Sequence, residues 1–327
     1  MDGHTMNPGD LSWDPVAKLG DLHIYPRMKA ADVVTRAADA EVILTNKVPI
    51  GRDMMDLLTR LKYIGVLATG YNTVDSAYAH QLGLPVTNIP GYSRDSVAQM
   101  VFAYILHVTN MVWDYNNSVK NGDWETSADF SYIRTAPVEL SGKTLGIIGY
   151  GDIGRKLGEM ARAFGMEVLI SRKQDGTLPG GSQDDINLGR VHAVPMEELF
   201  ERSSFISLHT PLNSHTREMV DSSLLSRIKP GTVLLNTSRG GVIHEESVLD
   251  ALDDGKLICY AADVYDQEPP KPASALIHHP KTLFTPHIAW ASRDARERAI
   301  RIAADNIQAW MDGKPVNVVN DVQRGRV

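Results

Sequence analysis

One cysteine, Cys259, stands among 327 residues, so no disulfide can close within the chain. Its setting, KLICYAADV, reads as a buried strand, and an inert packing thiol is the expectation. This scarcity fits a reducing cytoplasm, the expected location. No apolar run reaches the ~18 residues that a membrane span needs. The opening, MDGHTMNPGDLSWDP, is polar and turn-rich, without the charged and apolar regions of a secretory signal. Positive charge is also short: 33 Lys and Arg against 40 Asp and Glu leave a net charge of −7, which argues against a nucleic-acid surface. There is no block of five like charges, no internal repeat and no low-complexity tract.

What is present is alternation. Over the first hundred residues short apolar runs (LHIY, EVIL, YIGV, VTNI) are separated by helical stretches such as AADVVTRAADA and MMDLLTRL. That order predicts a parallel sheet with covered faces, an α/β fold. A long amphipathic helix follows, with Val97, Val101, Tyr104, Val108 and Met111 on one stripe. The segment NGDWETSADFSYIRTAP is irregular and is expected to wrap over a surface. A second alternation starts at Lys143, with strands expected at TLGIIG, EVLI, SFISL, TVLLN, ICYAAD and TLFT. A last helix, from about Ser292, carries Ile300, Ala303, Ile307 and Trp310 on one face and is expected to return to the first domain. The length suggests two domains. The expected boundaries are 1–101 plus 292–327 for a discontinuous first domain and 102–291 for the second.

Within TLGIIGYGDIGRKLG lies Gly149-Tyr150-Gly151-Asp152-Ile153-Gly154. A G-x-G-x-x-G alone is weak, and a glycine-rich turn that serves only packing is the alternative. Here an apolar strand precedes it, a helical run follows, and EVLI supplies the next strand. In that context the first glycine makes the turn, the second lets a pyrophosphate approach, and the third lets helix and strand pack closely. The fingerprint also expects an acid ~20 residues on, for the ribose hydroxyls. This chain has Ser171, Arg172 and Lys173 instead, with Arg172 23 positions after Gly149. Guanidinium and ammonium donors suit a 2′-phosphate, so NADP(H) is expected in preference to NAD(H). A solvated basic loop in an NAD protein is the alternative.

Three further stretches, LLNTSRGGVIHE, AADVYDQEPP and LFTPHIAW, each follow a predicted strand. In an open parallel sheet the carboxyl ends of strands form the ligand crevice, which allows Arg239, Glu268 and His287 to converge. An arginine can hold a carboxylate or carbonyl oxygen, and a histidine can exchange a proton near neutral pH. Glu268 can pair with His287 and keep it protonated for donation. Singly, each has a structural explanation as a turn, loop or packing residue. His278 and His279 lie in a loop without the spacing of a metal site, and no metal is expected.

These motifs, with GVLATGYNTVD, GYSRDSVAQ, SLHTPLNSHT and LDALDDGKLICYAADVYDQEP, span most of the chain. In this order they resemble the D-isomer-specific 2-hydroxyacid dehydrogenase family. Within it, the opening residues and HIAWAS are most similar to glycerate dehydrogenases, also called hydroxypyruvate reductases. The resemblance implies two Rossmann-like domains, the first flavodoxin-like, with hinge closure and dimerisation through the cofactor domain. It implies that Arg239 binds substrate, that His287 is the acid/base and that Glu268 is its partner. Ala68, Thr69 and Gly70 match the loop that holds the substrate carboxylate; Trp290, next to the proposed acid, either limits the substrate pocket or packs at an interface. Val97, Thr210, Pro211, Thr237, Ser238 and Asp263 join the glycine turn and the Ser171–Lys173 turn as cofactor positions. The chain departs from the family at Gln99, where Glu is usual, and at Ala68-Thr69-Gly70, where Gly-x-Gly is commoner.

The expected activity is reduction of hydroxypyruvate or glyoxylate to the D-2-hydroxy acid with NAD(P)H, by a homodimer with no nucleic-acid or membrane partner. A formate or phosphite oxidiser would use a related cleft. A phosphoglycerate dehydrogenase needs cations for the substrate phosphate, and LATGYN has none. A nicotinamide-sensing corepressor of the same fold is the reading from another class. Substitution of Arg239 and His287 separates it from an enzyme, because a sensor has no turnover to lose.

Overall fold

The computed structural model describes residues 2–173, 175–272 and 274–320. The last residues of the expected first domain, 321–327, lie outside the described ones. The chain divides into two compact units, the described parts of which are residues 2–93 with 290–320, and residues 94–289. The first junction falls at Ser93/Arg94, eight residues before the expected one, because the helix Arg94–Asn110 is continuous and goes whole with the second unit. The second falls at Ala289/Trp290 rather than 291/292.

The first unit holds a parallel sheet, β1 (Val42–Thr45), β2 (Tyr63–Val66) and β3 (Val86–Thr87), in the order β1-β2-β3. EVIL, YIGV and VTNI therefore form strands and LHIY does not. Ile24 is half exposed, and Tyr25 and Pro26 give their carbonyls to Gly3 and His4 of a short N-terminal helix rather than to a strand. The helix Arg293–Met311 is capped by Ser292, whose hydroxyl accepts from the amide of Ala295. Its buried face, Ala295, Ala299, Ile300, Ala303 and Ile307, packs with Tyr63, Leu67 and Ile89 of this unit. The discontinuous first domain thus closes around its own core.

The second unit has seven parallel strands: β4 (Thr144–Ile148), β5 (Glu167–Ser171), β6 (His192–Val194), β7 (Phe205–Leu208), β8 (Thr232–Asn236), β9 (Leu257–Ala262) and β10 (Thr282–Phe284). Their order is β10-β9-β8-β7-β4-β5-β6. Strands β4, β7 and β8 are buried along their whole length, as a sheet covered on both faces demands. The chain moves outward from β4 through β5 to β6, then crosses back to β7 on the other side of β4. That reversal is a topological switch point, and it opens a crevice at the carboxyl ends of β4 and β7. Strand β6 has only three residues and His192 is exposed, so its sequence carries no strand signature. Cys259 is buried on β9, and burial pushes its thiol up to about 12, as expected of an inert packing residue.

Candidate active site

The glycine turn sits at the switch point. Gly149 follows β4 with φ +94°, a left-handed conformation that favours glycine, and a Cβ there would lie 2.5 Å from the carbonyl oxygen of His209. Gly154 is closed in the same way: its Cβ would meet Gly149 O at 2.5 Å. Gly151 differs, because a Cβ there would meet nothing within 4 Å. It is the N-cap of the helix Asp152–Ala163 and gives no side-chain cap, so the first amides of that helix remain available to an anion. Two glycines close the turn and one leaves the approach open, which is the division of labour a dinucleotide pyrophosphate requires. Tyr150 and Asp152 contribute backbone here. The Tyr150 ring is buried, with its hydroxyl on Asp185 at 3.0 Å, and Asp152 pairs with Arg155 at 2.6 Å.

The opposite wall follows β7. Thr210 and Pro211 are there, with Pro211 O accepting from Thr216 Oγ1 at 2.5 Å. His209 bonds Ser207 Oγ through Nε2 at 2.8 Å, and burial pulls its pKa down to about 4, so the ring is neutral. Thr237 Oγ1, just beyond β8, is a buried oxygen without a partner among the described residues. A polar ligand would satisfy it, and together with the open Gly151 it makes the residues present fit a dinucleotide.

Beyond β5 the chain turns tightly. Arg172 N donates to Val194 O at 2.9 Å, Arg172 Nη1 to Gly176 O at 3.4 Å and Lys173 N to Thr177 O at 2.9 Å. Ser171 is buried, whereas Arg172 and Lys173 are exposed. The first acid after the strand, Asp175, accepts from Thr177 N at 2.9 Å and Thr177 Oγ1 at 2.6 Å. Those bonds, with Lys173 nearby, hold its carboxyl below the usual range. It is engaged by its own turn.

The carboxyl ends of β8, β9 and β10 come together because the strands are neighbours in register, Asn236 opposite Ala262 and Ala262 opposite Phe284. Buried Asn236 builds the first loop. Its Oδ1 accepts from Ser238 N (3.0 Å) and Ser238 Oγ (2.8 Å), and its Nδ2 donates to Arg239 O at 2.9 Å. Arg239 is exposed, with Nη1 on Ser238 O at 2.6 Å. Gly240 then packs so closely on the loop after β9 that a Cβ would lie 2.0 Å from Tyr265 C. That second loop carries Glu268, whose Oε1 accepts from Tyr265 N at 3.0 Å.

The third loop carries His287, at φ +57°. Its Nδ1 meets Glu268 Oε2 at 2.5 Å, which directs Nε2 away from the carboxylate. An imidazole held this way can give up and recover a proton at Nε2. Asp263 secures the loop: Oδ1 accepts from Thr285 Oγ1 and from Ile288 N (2.8 Å), and Oδ2 from Ala289 N (2.7 Å). Burial raises its pKa, opposed by these donors and by His287. The hydrogen bonds of Asp263 therefore point to the His287 loop, a role that its position in the sequence did not reveal. Tyr104 and Ser96, which contact the same loop, were equally hidden, Tyr104 appearing only as one member of an apolar stripe.

Val97 is buried on the helix Arg94–Asn110. Ala68, Thr69, Gly70 and Trp290 belong to the first unit. Ala68 O and Thr69 O accept from Ile89 N (3.0 Å) and Asn88 Nδ2 (2.8 Å), and Trp290 meets Tyr92 edge to face at 6.3 Å. Among the described residues no group of three or more His, Cys, Asp or Glu is placed to hold a metal, and no helix is long and apolar enough to cross a membrane.

The chain is similar to known proteins over most of its length. Residues 102–289 match the family model described as D-isomer specific 2-hydroxyacid dehydrogenase, NAD binding domain. A hydroxypyruvate reductase of Blautia hydrogenotrophica is 38% identical over 98% of both chains. A glycerate dehydrogenase of Methylorubrum extorquens is 37% identical over 88% of both. Among solved structures, an acyclic imino acid reductase in complex with NADPH and D-Arg superposes with a TM-score of 0.81 at 28% identity, over 94% of this chain and 96% of that one. With a dinucleotide turn at its switch point and relatives matched along nearly its whole length, the chain belongs to the D-isomer specific 2-hydroxyacid dehydrogenase family.

Proposed function

We propose that the protein reduces a small 2-keto acid, hydroxypyruvate or glyoxylate, to the D-2-hydroxy acid with a nicotinamide cofactor, NADP(H) in preference to NAD(H). The observation that carries this reading is the His287–Glu268 pair at 2.5 Å, beside the Arg239 loop, in a chain similar throughout to a hydroxypyruvate reductase. Residues 94–289 hold the cofactor through Gly149–Gly154, Ser171–Lys173, Thr210, Pro211, Thr237 and Ser238, with Val97 and Asp263 beside the site. When bound, reduced nicotinamide supplies the hydride for the carbonyl carbon.

The protein supplies the rest. His287 gives a proton from Nε2 to the carbonyl oxygen, and Glu268 compensates the charge on the protonated ring. Arg239 holds the substrate carboxylate and polarises the carbonyl. Arg172 and Lys173 bind the 2′-phosphate, since Asp175 is occupied by Thr177 and no acid competes. The working form is a homodimer joined through the cofactor unit, where Trp113, Phe130 and Ile133 are exposed.

Steady-state rates with NADPH and NADH across glyoxylate, hydroxypyruvate and pyruvate test the proposal. Fastest turnover is expected with NADPH and one of the first two. Absence of nicotinamide oxidation with every keto acid would overturn it.

A further inference from the structure

Two hydroxyls of the helix Arg94–Asn110 reach the two ends of the segment that carries His287. At one end, Ser96 Oγ donates to Ala289 O at 2.6 Å. At the other, Tyr104 Oη lies 2.5 Å from Thr285 Oγ1 and 3.1 Å from Ala262 O. Tyr104 is only 6% exposed, and burial pushes its pKa up to about 12, so the phenol keeps its proton.

The direction of the hydrogen bonds follows from counting protons. Thr285 has one hydroxyl proton and gives it to Asp263 Oδ1. Both carboxyl oxygens of Asp263 act as acceptors, from Ile288 N and Ala289 N. Tyr104 Oη–H then has two acceptors within reach, Thr285 Oγ1 and Ala262 O. Tyr104 Oη thus bridges the ends of β9 and β10, while Thr285 Oγ1–H is bonded to Asp263 Oδ1. Asp263 in turn receives the amides of Ile288 and Ala289, the two residues after His287. His287 has φ +57°, a conformation that disfavours a residue with a Cβ and persists only when its surroundings impose it.

We propose that Tyr104, with Ser96, is a positioning residue for the reaction: the two hydroxyls brace Thr285 and Ala289 and so fix the segment 285–289 that presents His287. The functional consequence rests on the reading of His287 as the acid/base. A tyrosine placed only for packing would not need its hydroxyl at this point. A buried hydroxyl is a cost unless partnered, and a leucine or phenylalanine would fill the stripe without it. Here both possible partners of the hydroxyl lie at the carboxyl ends of β9 and β10, where the site is built.

Tyr104→Phe keeps the ring and removes only the hydroxyl. Hydrogen–deuterium exchange at the amides of Ile288 and Ala289 is the direct readout and does not depend on turnover. The variant is expected to exchange these amides about 10-fold faster, the scale of one lost hydrogen bond. It is also expected to lower kcat about 10-fold while the KM for the cofactor stays within about 2-fold, because the cofactor turn is untouched. Ser96→Ala should act in the same direction and serves if the tyrosine variant fails to fold. Wild-type exchange at both amides overturns the proposal, and so does faster exchange with wild-type kcat. A wild-type protein that turns over no keto acid defeats the functional reading, while the exchange rates still decide whether Tyr104 holds the segment.

Discussion

The loops after β8, β9 and β10 and the turn after β5 leave the same sheet, yet they are built in opposite ways. The first three are held by buried groups: Asn236 shapes the Arg239 loop, Gly240 sits where no Cβ fits, and Asp263 gathers three donors around His287. The turn after β5 is held mainly by bonds among residues 172–177, and its two cations are exposed. Proton transfer requires positions fixed to a fraction of an ångström, whereas recognition of a phosphate at a rim requires charge at roughly the right place. Substitutions in the first region should therefore destroy chemistry or fold, and those in the second should redirect cofactor choice and leave both intact.

The largest effect is expected at His287. His287→Ala should lower kcat about 10²–10⁴-fold, the usual contribution of a positioned acid/base, with cofactor affinity unchanged by fluorescence titration. Retained turnover would place the proton donor elsewhere. Gly240→Ala comes next. With Tyr265 C 2.0 Å from the new methyl, the two loops must separate, at a cost of about 1–3 kcal/mol or more. A lower urea midpoint together with lost activity is expected, and wild-type values of both would show that the loops are not tightly coupled. Glu268→Gln keeps hydrogen-bonding capacity but removes the charge opposite His287 Nδ1. A fall in kcat of about 10-fold is expected, from exchanging a charge-assisted bond for a neutral one. The smallest effect is at Cys259, far from this chemistry in role. The native protein should resist thiol alkylation at pH 8 and the urea-unfolded chain should react, because the buried thiol stays protonated. Rapid native labelling would contradict its burial.

The same contrast explains what could be read in advance. The strands of the second unit were legible because TVLLN, SFISL and TLGIIG are continuous apolar runs that only a sheet covered on both faces accommodates. The glycine turn was legible because its spacing is dictated by backbone geometry. LHIY misled because an apolar run shows β preference but not whether a partner strand exists, and three-residue β6 was too short to announce itself. Arg239, Glu268 and His287 were recognisable from their motifs. The pairing of Glu268 with His287 was expected, but the adjacency of the three loops rests on the strand order β8-β9-β10, which no local pattern contains. Tyr104 escaped because it looked like another apolar-stripe residue, and the bonds from Asp263 to the amides of Ile288 and Ala289 depend on a fold that its motif does not spell out.

The separation between the two regions is tested most directly at Arg172. For Arg172→Asp, kcat/KM with NADPH and with NADH would be measured on the keto acid that the wild type reduces fastest. The NADPH-to-NADH ratio is predicted to fall at least about 10-fold, while kcat with the preferred cofactor stays within about 2-fold. An unchanged ratio, or a collapse of kcat with both cofactors, would contradict the division between a rigid chemical centre and an exposed rim that selects the cofactor.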